Sequence, residues 1–309
     1  MGKYLYSADE SIAYMAKKGI KFNLFSEDEA KKYIETSTYY KKISSYQKNF
    51  TTYIRDGEKV YADLEFAYLR ELASLDVELR HIVLDISLDI EHSVKVAILN
   101  KCMELKFDGY DIVDGFFDKY PNVRENIEMN SVNSYCTELI RAHNSHFPIW
   151  VVVEVISFGD LCKLYKFMMD KGYFGDSKKS ATKDVVGILY AVHNIRNAAA
   201  HNHCLLRDLR YSNDIQTEPT ISRYVAQISS IKKDQRQKTL STRFQHDFVC
   251  LIYAIDKLII SDGMKKDAIT AIRGFIDRKS IIHKEYFKNC IPVKNAYDFC
   301  RKVVDFVVL

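Results

Sequence analysis

With 309 residues and 47% hydrophobic content, the chain is long enough to bury a substantial core, which sets it apart from disordered and fibrous sequences. Its 45 basic and 41 acidic side chains leave a formal net charge of +4, which permits a nucleic-acid partner without requiring one. The seven cysteines are widely spaced and form no Cys-x-x-Cys pair, so they read as small packing residues of a reducing compartment. No run approaches the roughly 20 apolar residues that span a bilayer, and the expected location is cytoplasmic, off the membrane.

Only four prolines and eleven glycines punctuate the chain, and long segments carry apolar residues three and four apart, which predicts an all-α fold. Residues 8–20 and 26–37 read as two short helices capped by Ser7 and Ser26. Glu29 stands at the capping-box spacing from Ser26, and Gly19 ends the first helix. The run Tyr39-Tyr40-Lys41-Lys42-Ile43-Ser44-Ser45-Tyr46 is either a packing segment with solvated lysines or a surface on which bases stack. Residues 1–60 are expected to form an N-terminal layer before a larger unit, 61–309.

Residues 63–102 carry one apolar stripe from Leu64 through Leu72, Leu79, Ile86 and Ile90 to Ile98, the pattern of a long central helix. Asp85, Asp89 and His92 lie beside the stripe, as a solvated face or as a possible acid or metal set. Residues 106–121 read as a loop and 122–143 as a helix. Pro148 then opens an apolar helix in which Glu154 either meets a cation or turns to water. Residues 170–183 form a basic loop that includes Lys178 and Lys179. The helix after it holds Val185, Ile188, Leu189, Val192 and Ile195. Arg207 and Arg210 follow, then the densest basic cluster, with Lys232, Lys233 and Arg236. Helices over residues 243–261, 264–277 and 293–306 complete the chain.

Chemistry is placed at Arg196-Asn197-Ala198-Ala199-Ala200-His201, where a permanent cation and a titratable imidazole leave an apolar helix together. The spacing alone carries little weight, since Arg141 with His146 and Arg278 with His283 share it and Arg196 also pairs with His203. On a regular helix five residues turn about 140°, so the helix should end near the alanines or a second copy should complete the site. No metal-ligand set, Gly-rich phosphate loop or other cofactor motif is read from the sequence.

Ordered motifs around this stretch resemble the abortive-infection (Abi-like, AbiD and AbiF) proteins of the HEPN superfamily of helical ribonucleases. They are Tyr39-Tyr40 with Ser44-Ser45-Tyr46, Glu78-Leu79-Arg80 with Ile90-Glu91, Phe147-Pro148-Ile149-Trp150 with Glu154 and Ser157-Phe158-Gly159-Asp160-Leu161, and Ile195-Arg196-Asn197 through Ala200-His201-Asn202. Cys204 stands where many AbiD-like relatives carry an arginine, which places the chain nearer the AbiF side.

The resemblance implies a HEPN-type helical bundle with added N- and C-terminal helices. It implies a metal-independent endoribonuclease toxin of phage defence that cuts RNA by 2′-hydroxyl attack and leaves cyclic phosphate ends. Arg196, Asn197 and His201 would be catalytic, with Glu154, Glu91 and Arg80 supporting them and His203 as a spare. Lys178, Lys179, Arg207, Arg210, Lys232, Lys233 and Arg236 would meet RNA. A homodimer and a small non-coding RNA or protein antitoxin are the expected partners. The alternative is a catalytically silent HEPN module that binds such a partner.

Overall fold

The structure, a computed structural model, describes residues 5–129, 134–175, 180–213, 215–279 and 283–307. Lys178 and Lys179 lie outside these residues. Two capped helices, α1 (Ala8–Lys17) and α2 (Glu27–Thr36), open the chain, and both Ser7 with Glu10 and Ser26 with Glu29 form complete capping boxes. Gly19, at φ 82°, turns the chain out of α1. Short α3 (Tyr40–Ile43) runs into a 3-10 turn, Ser44–Asn49, and here the tyrosine-rich run divides: Ile43 and Tyr46 are buried while Tyr39 is exposed.

Strands appear where none was expected. β1 (Ile20–Lys21) pairs in parallel with β4 (Leu64–Glu65), and β2 (Thr52–Arg55) forms a hairpin with β3 (Glu58–Tyr61). The hairpin turns on Asp56-Gly57, both at positive φ, the Asp-Gly conformation that matches strand twist.

The predicted central helix is α4 (Phe66–Glu104), whose 39 residues span about 58 Å. It begins one residue after Glu65, whose carboxylate accepts from the Asn23 backbone and side-chain amides at 3.0 and 2.8 Å. Residues 106–121 hold a helix, α5 (Asp111–Lys119), rather than only a loop. Its Ile112, Val113, Phe116 and Phe117 bury one face, which outweighs the breaking tendency of Gly115 and the aspartates. The helix expected over 122–143 is divided into α6 (Pro121–Met129) and α7 (Thr137–Arg141), with Ser134 and Thr137 bonded to each other before α7. Then follow α8 (Ile149–Val155), α9 (Phe158–Asp170, capped by Ser157) and α10 (Ser180–Ala200).

The last third comprises α11 (Pro219–Ala226), α12 (Lys233–Leu240), α13 (Arg243–Lys257), α14 (Asp262–Lys279) and α15 (Ile291–Phe306). The fold is all-α with minor strands. α10 packs against α4, α9, α11 and α13, and buried residues from Ile12 to Val307 join into one core. Among the described residues no helix is long and apolar enough to cross a membrane.

Candidate active site

α10 buries Ile188, Leu189, Val192, Ile195 and Ala199 and ends with a specific stop. Asn202 takes the left-handed conformation at φ 56°. Its N–H donates to Ala199 O at 3.0 Å and the His203 N–H to Ala198 O at 2.8 Å, the Schellman arrangement. Ala200 is therefore the last helical residue, and His201 stands at the cap, its N–H still donating to Asn197 O at 2.9 Å. The three alanines keep this end slim, so the exposed His201 and His203 rings lie side by side with centroids 6.0 Å apart.

One turn back, Arg196 Nη1 donates to Asn197 Oδ1 at 3.0 Å, and Asn197 Nδ2 lies 2.9 Å from His193 Nε2. The amide can serve both neighbours only with its oxygen toward the guanidinium, which assigns His193 Nε2 as acceptor. Arg196 is half-buried and, among the described residues, has no carboxylate partner. A guanidinium held by an amide rather than neutralised by an acid keeps its charge available to a phosphate.

His193, on the same helix, has two roles. It does pack, edge-on to Phe158 with centroids 5.9 Å apart, but it also orients the motif asparagine. The i, i+4 spacing of His193 and Asn197 was the available signal. Gly159 admits the ring, since a Cβ there would sit 3.0 Å from Nε2.

Burial, reinforced by Arg196, holds His193 below the ordinary histidine pKa, so the folded chain keeps it neutral. On acidification through about pH 6.5 the unfolded chain takes up this proton first, so this contribution to stability falls as pH falls. Wild type is therefore expected to lose more stability than His193→Gln between pH 7.5 and 5.5, as read from urea midpoints.

The segment after the motif is clamped from the N-terminal side. Asp76 Oδ1 accepts from Leu206 N–H at 2.8 Å, while its Oδ2 accepts from Tyr46 Oη at 3.0 Å and from the Arg80 guanidinium. Asn49 bonds Leu206 O at 2.9 Å and Leu209 N–H at 2.8 Å. Arg80 thus acts on the segment through Asp76, a residue the sequence reading passed over although it lies four before Arg80 on α4. Glu91 and Glu154 share Lys95, at 3.6 and 3.9 Å, and Glu154 turns to water. The structure does not bring either carboxylate into hydrogen-bond contact with the motif, though Glu91 contributes to the field at His193. Asp85 and His92 lie on the exposed face of α4.

The sequence profile of the Abi-like protein family matches residues 32–207, more than half of the chain, from α2 to just past the helix end described above. The chain belongs to the Abi-like protein family. No curated protein and no solved structure matches it.

In this Abi-like protein the basic residues differ in availability. Arg207 is exposed, whereas Arg210 forms a two-pronged pair with Asp208 at 2.9 and 2.8 Å. The segment bearing them reaches the α12–α13 junction, where Gln245 Nε2 donates to Leu209 O and Ser212 N–H to Thr242 Oγ1. This places one end of the basic cluster beside the segment that leaves the motif, with Lys232 and Lys233 exposed and Arg236 half-buried on or next to α12. A cavity of about 990 Å³, lined by residues such as Leu72, Leu79, Phe248 and Phe275, borders this segment through Leu206 and Leu209, and no residue from Arg196 to His201 lines it.

Proposed function

We propose that this Abi-like protein is a HEPN-type endoribonuclease that acts in phage defence as a growth-arresting toxin. The observation that supports this reading most is the cationic Arg196, fixed by Asn197 and without a carboxylate partner among the described residues, one turn before an exposed histidine at a helix end. In the proposed reaction a ribose 2′-oxygen attacks the adjacent phosphorus, the phosphorus–5′-oxygen bond breaks, and a 2′,3′-cyclic phosphate and a 5′-hydroxyl result. His201 exchanges the protons, Arg196 neutralises charge on the phosphorane oxygens, and Asn197 holds the guanidinium. Arg207, Lys232 and Lys233 supply phosphate contacts along the approach. No step requires a metal.

Two copies meeting at their α10 ends would place two Arg196–His201 sets in one cleft, so the proposed active form is a homodimer. A small RNA or protein antitoxin would restrain it.

The test is induced expression of wild type and Arg196→Ala, with growth measured and RNA ends mapped for cyclic phosphate. Arrest with new cyclic ends in wild type alone supports the proposal. Equal cleavage by both would remove it, and RNA binding without any cleavage would favour the silent module.

A further inference from the structure

Beyond the residues that match the family, α13 and the start of α11 assemble a second polar cluster. His246 and Cys250 lie one turn apart on the same face of α13, and both are buried. Glu218, the residue before α11, reaches them from the other side, with its Oε2 at 2.8 Å from His246 Nε2. Cys250 Sγ lies 3.8 Å from the same nitrogen. One oxygen, one nitrogen and one sulfur donor fall within 4.8 Å of one another. We propose that Glu218, His246 and Cys250 bind one zinc-class divalent ion.

Three features support this beyond proximity. Bonds of about 2.0–2.3 Å to a tetrahedral ion set its ligand atoms roughly 3.3–3.8 Å apart, so the Glu218 oxygen needs to withdraw by about half an ångström, and Cys250 Sγ, which stands 3.8 Å from Nε2 and 3.9 Å from Nδ1, needs a side-chain rotation toward the Nε2 edge of the ring. Asp247 Oδ1 sits 2.8 Å from His246 Nδ1, the carboxylate behind the imidazole that fixes ring orientation in metal sites and aims Nε2 at Glu218. Arg243 in turn lies 3.9 Å from that carboxylate. Finally, Gly187 on α10 leaves room for the glutamate, since a Cβ there would stand 2.6 Å from Glu218 Oε1.

The mixed O, N, S donor set suits zinc and its neighbours and not calcium or magnesium, which take oxygen. The Glu218 side chain retains 22% exposure, which gives the ion an approach and a water its fourth position. Gly187 is nine residues from Arg196, about 14 Å along α10, so the ion lies away from the motif and serves as a staple that fixes the start of α11 to α13. It takes no part in RNA cleavage, and the inference stands or falls apart from the proposed ribonuclease activity.

The test uses the full chain, treated with a chelator, dialysed and titrated with cobalt(II). One equivalent is expected to give the visible bands of four-coordinate cobalt and a near-ultraviolet thiolate-to-cobalt band, both lost on adding zinc. Cys250→Ser should lose the near-ultraviolet band, whereas Cys300→Ser, buried on α15, should keep it. Asp247→Asn should weaken cobalt binding about 10–100-fold while leaving the helical circular dichroism unchanged. Glu218→Gln, at the exposed edge, should weaken it at least about tenfold, and decides the matter if Cys250→Ser does not fold. Absence of the thiolate band in wild type, its persistence in Cys250→Ser, or unaltered affinity in Glu218→Gln would overturn the proposal and leave a buried ion pair only.

Discussion

His201→Ala is expected to slow RNA cleavage by about 10²–10⁴-fold, the usual contribution of a positioned acid–base group. The side chain stands exposed at the helix cap, so its removal should leave helix content and the unfolding midpoint nearly unchanged. Arg196→Ala should fall as far, because it removes the cation that Asn197 holds. Arg196→Lys should recover little, since an ammonium lacks the planar fork that Asn197 Oδ1 grips at 3.0 Å. His203→Ala should have a much smaller effect. If His203 were the proton carrier instead, the two histidine variants would exchange their behaviour, so single-turnover rates for both on one RNA substrate decide the assignment. Activity of His201→Ala equal to wild type would refute its role.

Asp76→Ala is the substitution with the largest expected cost in stability, about 3–5 kcal/mol. Burial pushes the Asp76 carboxyl above its ordinary pKa range even with the Leu206 amide and Arg80 bound to it. Deleting it leaves Arg80, itself buried, as an uncompensated cation, and strips partners from the Leu206 amide and the Tyr46 hydroxyl. Replacing both members of the pair, as in Asp76→Leu with Arg80→Met, should cost less than Asp76→Ala alone, because no charge is then stranded. Urea unfolding of the three proteins measures this difference. A drop under about 1 kcal/mol for Asp76→Ala would show that the clamp is not under the expected load.

The cost of losing Asp76 would also reach the candidate site. Leu206 lies five residues beyond His201, and the segment between them contains the left-handed Asn202. Freed from Asp76, this segment should fray even though Asn49 still bonds Leu206 O and Leu209 N–H. A loss of cleavage in Asp76→Ala under conditions where the protein remains folded would trace that connection.

Much of this was legible from local pattern. The apolar stripe from Leu72 to Ile98 gave the long helix, because a 3.6-residue period places those side chains on one face whatever they pack against, while Leu64 at its start falls in β4. Ser7 and Ser26 marked helix starts because a cap is satisfied within four residues. The hairpin leaves little trace in periodicity, because β2 and β3 span only four residues each. α5 is masked in the sequence by Asp111, Asp114, Gly115 and Asp118, which interrupt the pattern of its apolar face.

By itself the sequence determined the all-α class, the family, and the short stretch from Arg196 to His201 that leaves an apolar helix. These depend on residues within a turn or two of one another, or on ordered motifs along the chain. The tertiary structure alone decided which groups meet. It joined Asp76 to Leu206 across 130 residues and Glu218 to His246 across 28, and it left Glu154 at the surface. It also showed that Arg196 has an amide for a partner where a carboxylate would have neutralised it. The physical reason is that periodicity fixes the face a side chain occupies, whereas its partner depends on how neighbouring helices cross, and that is set by packing of the whole core.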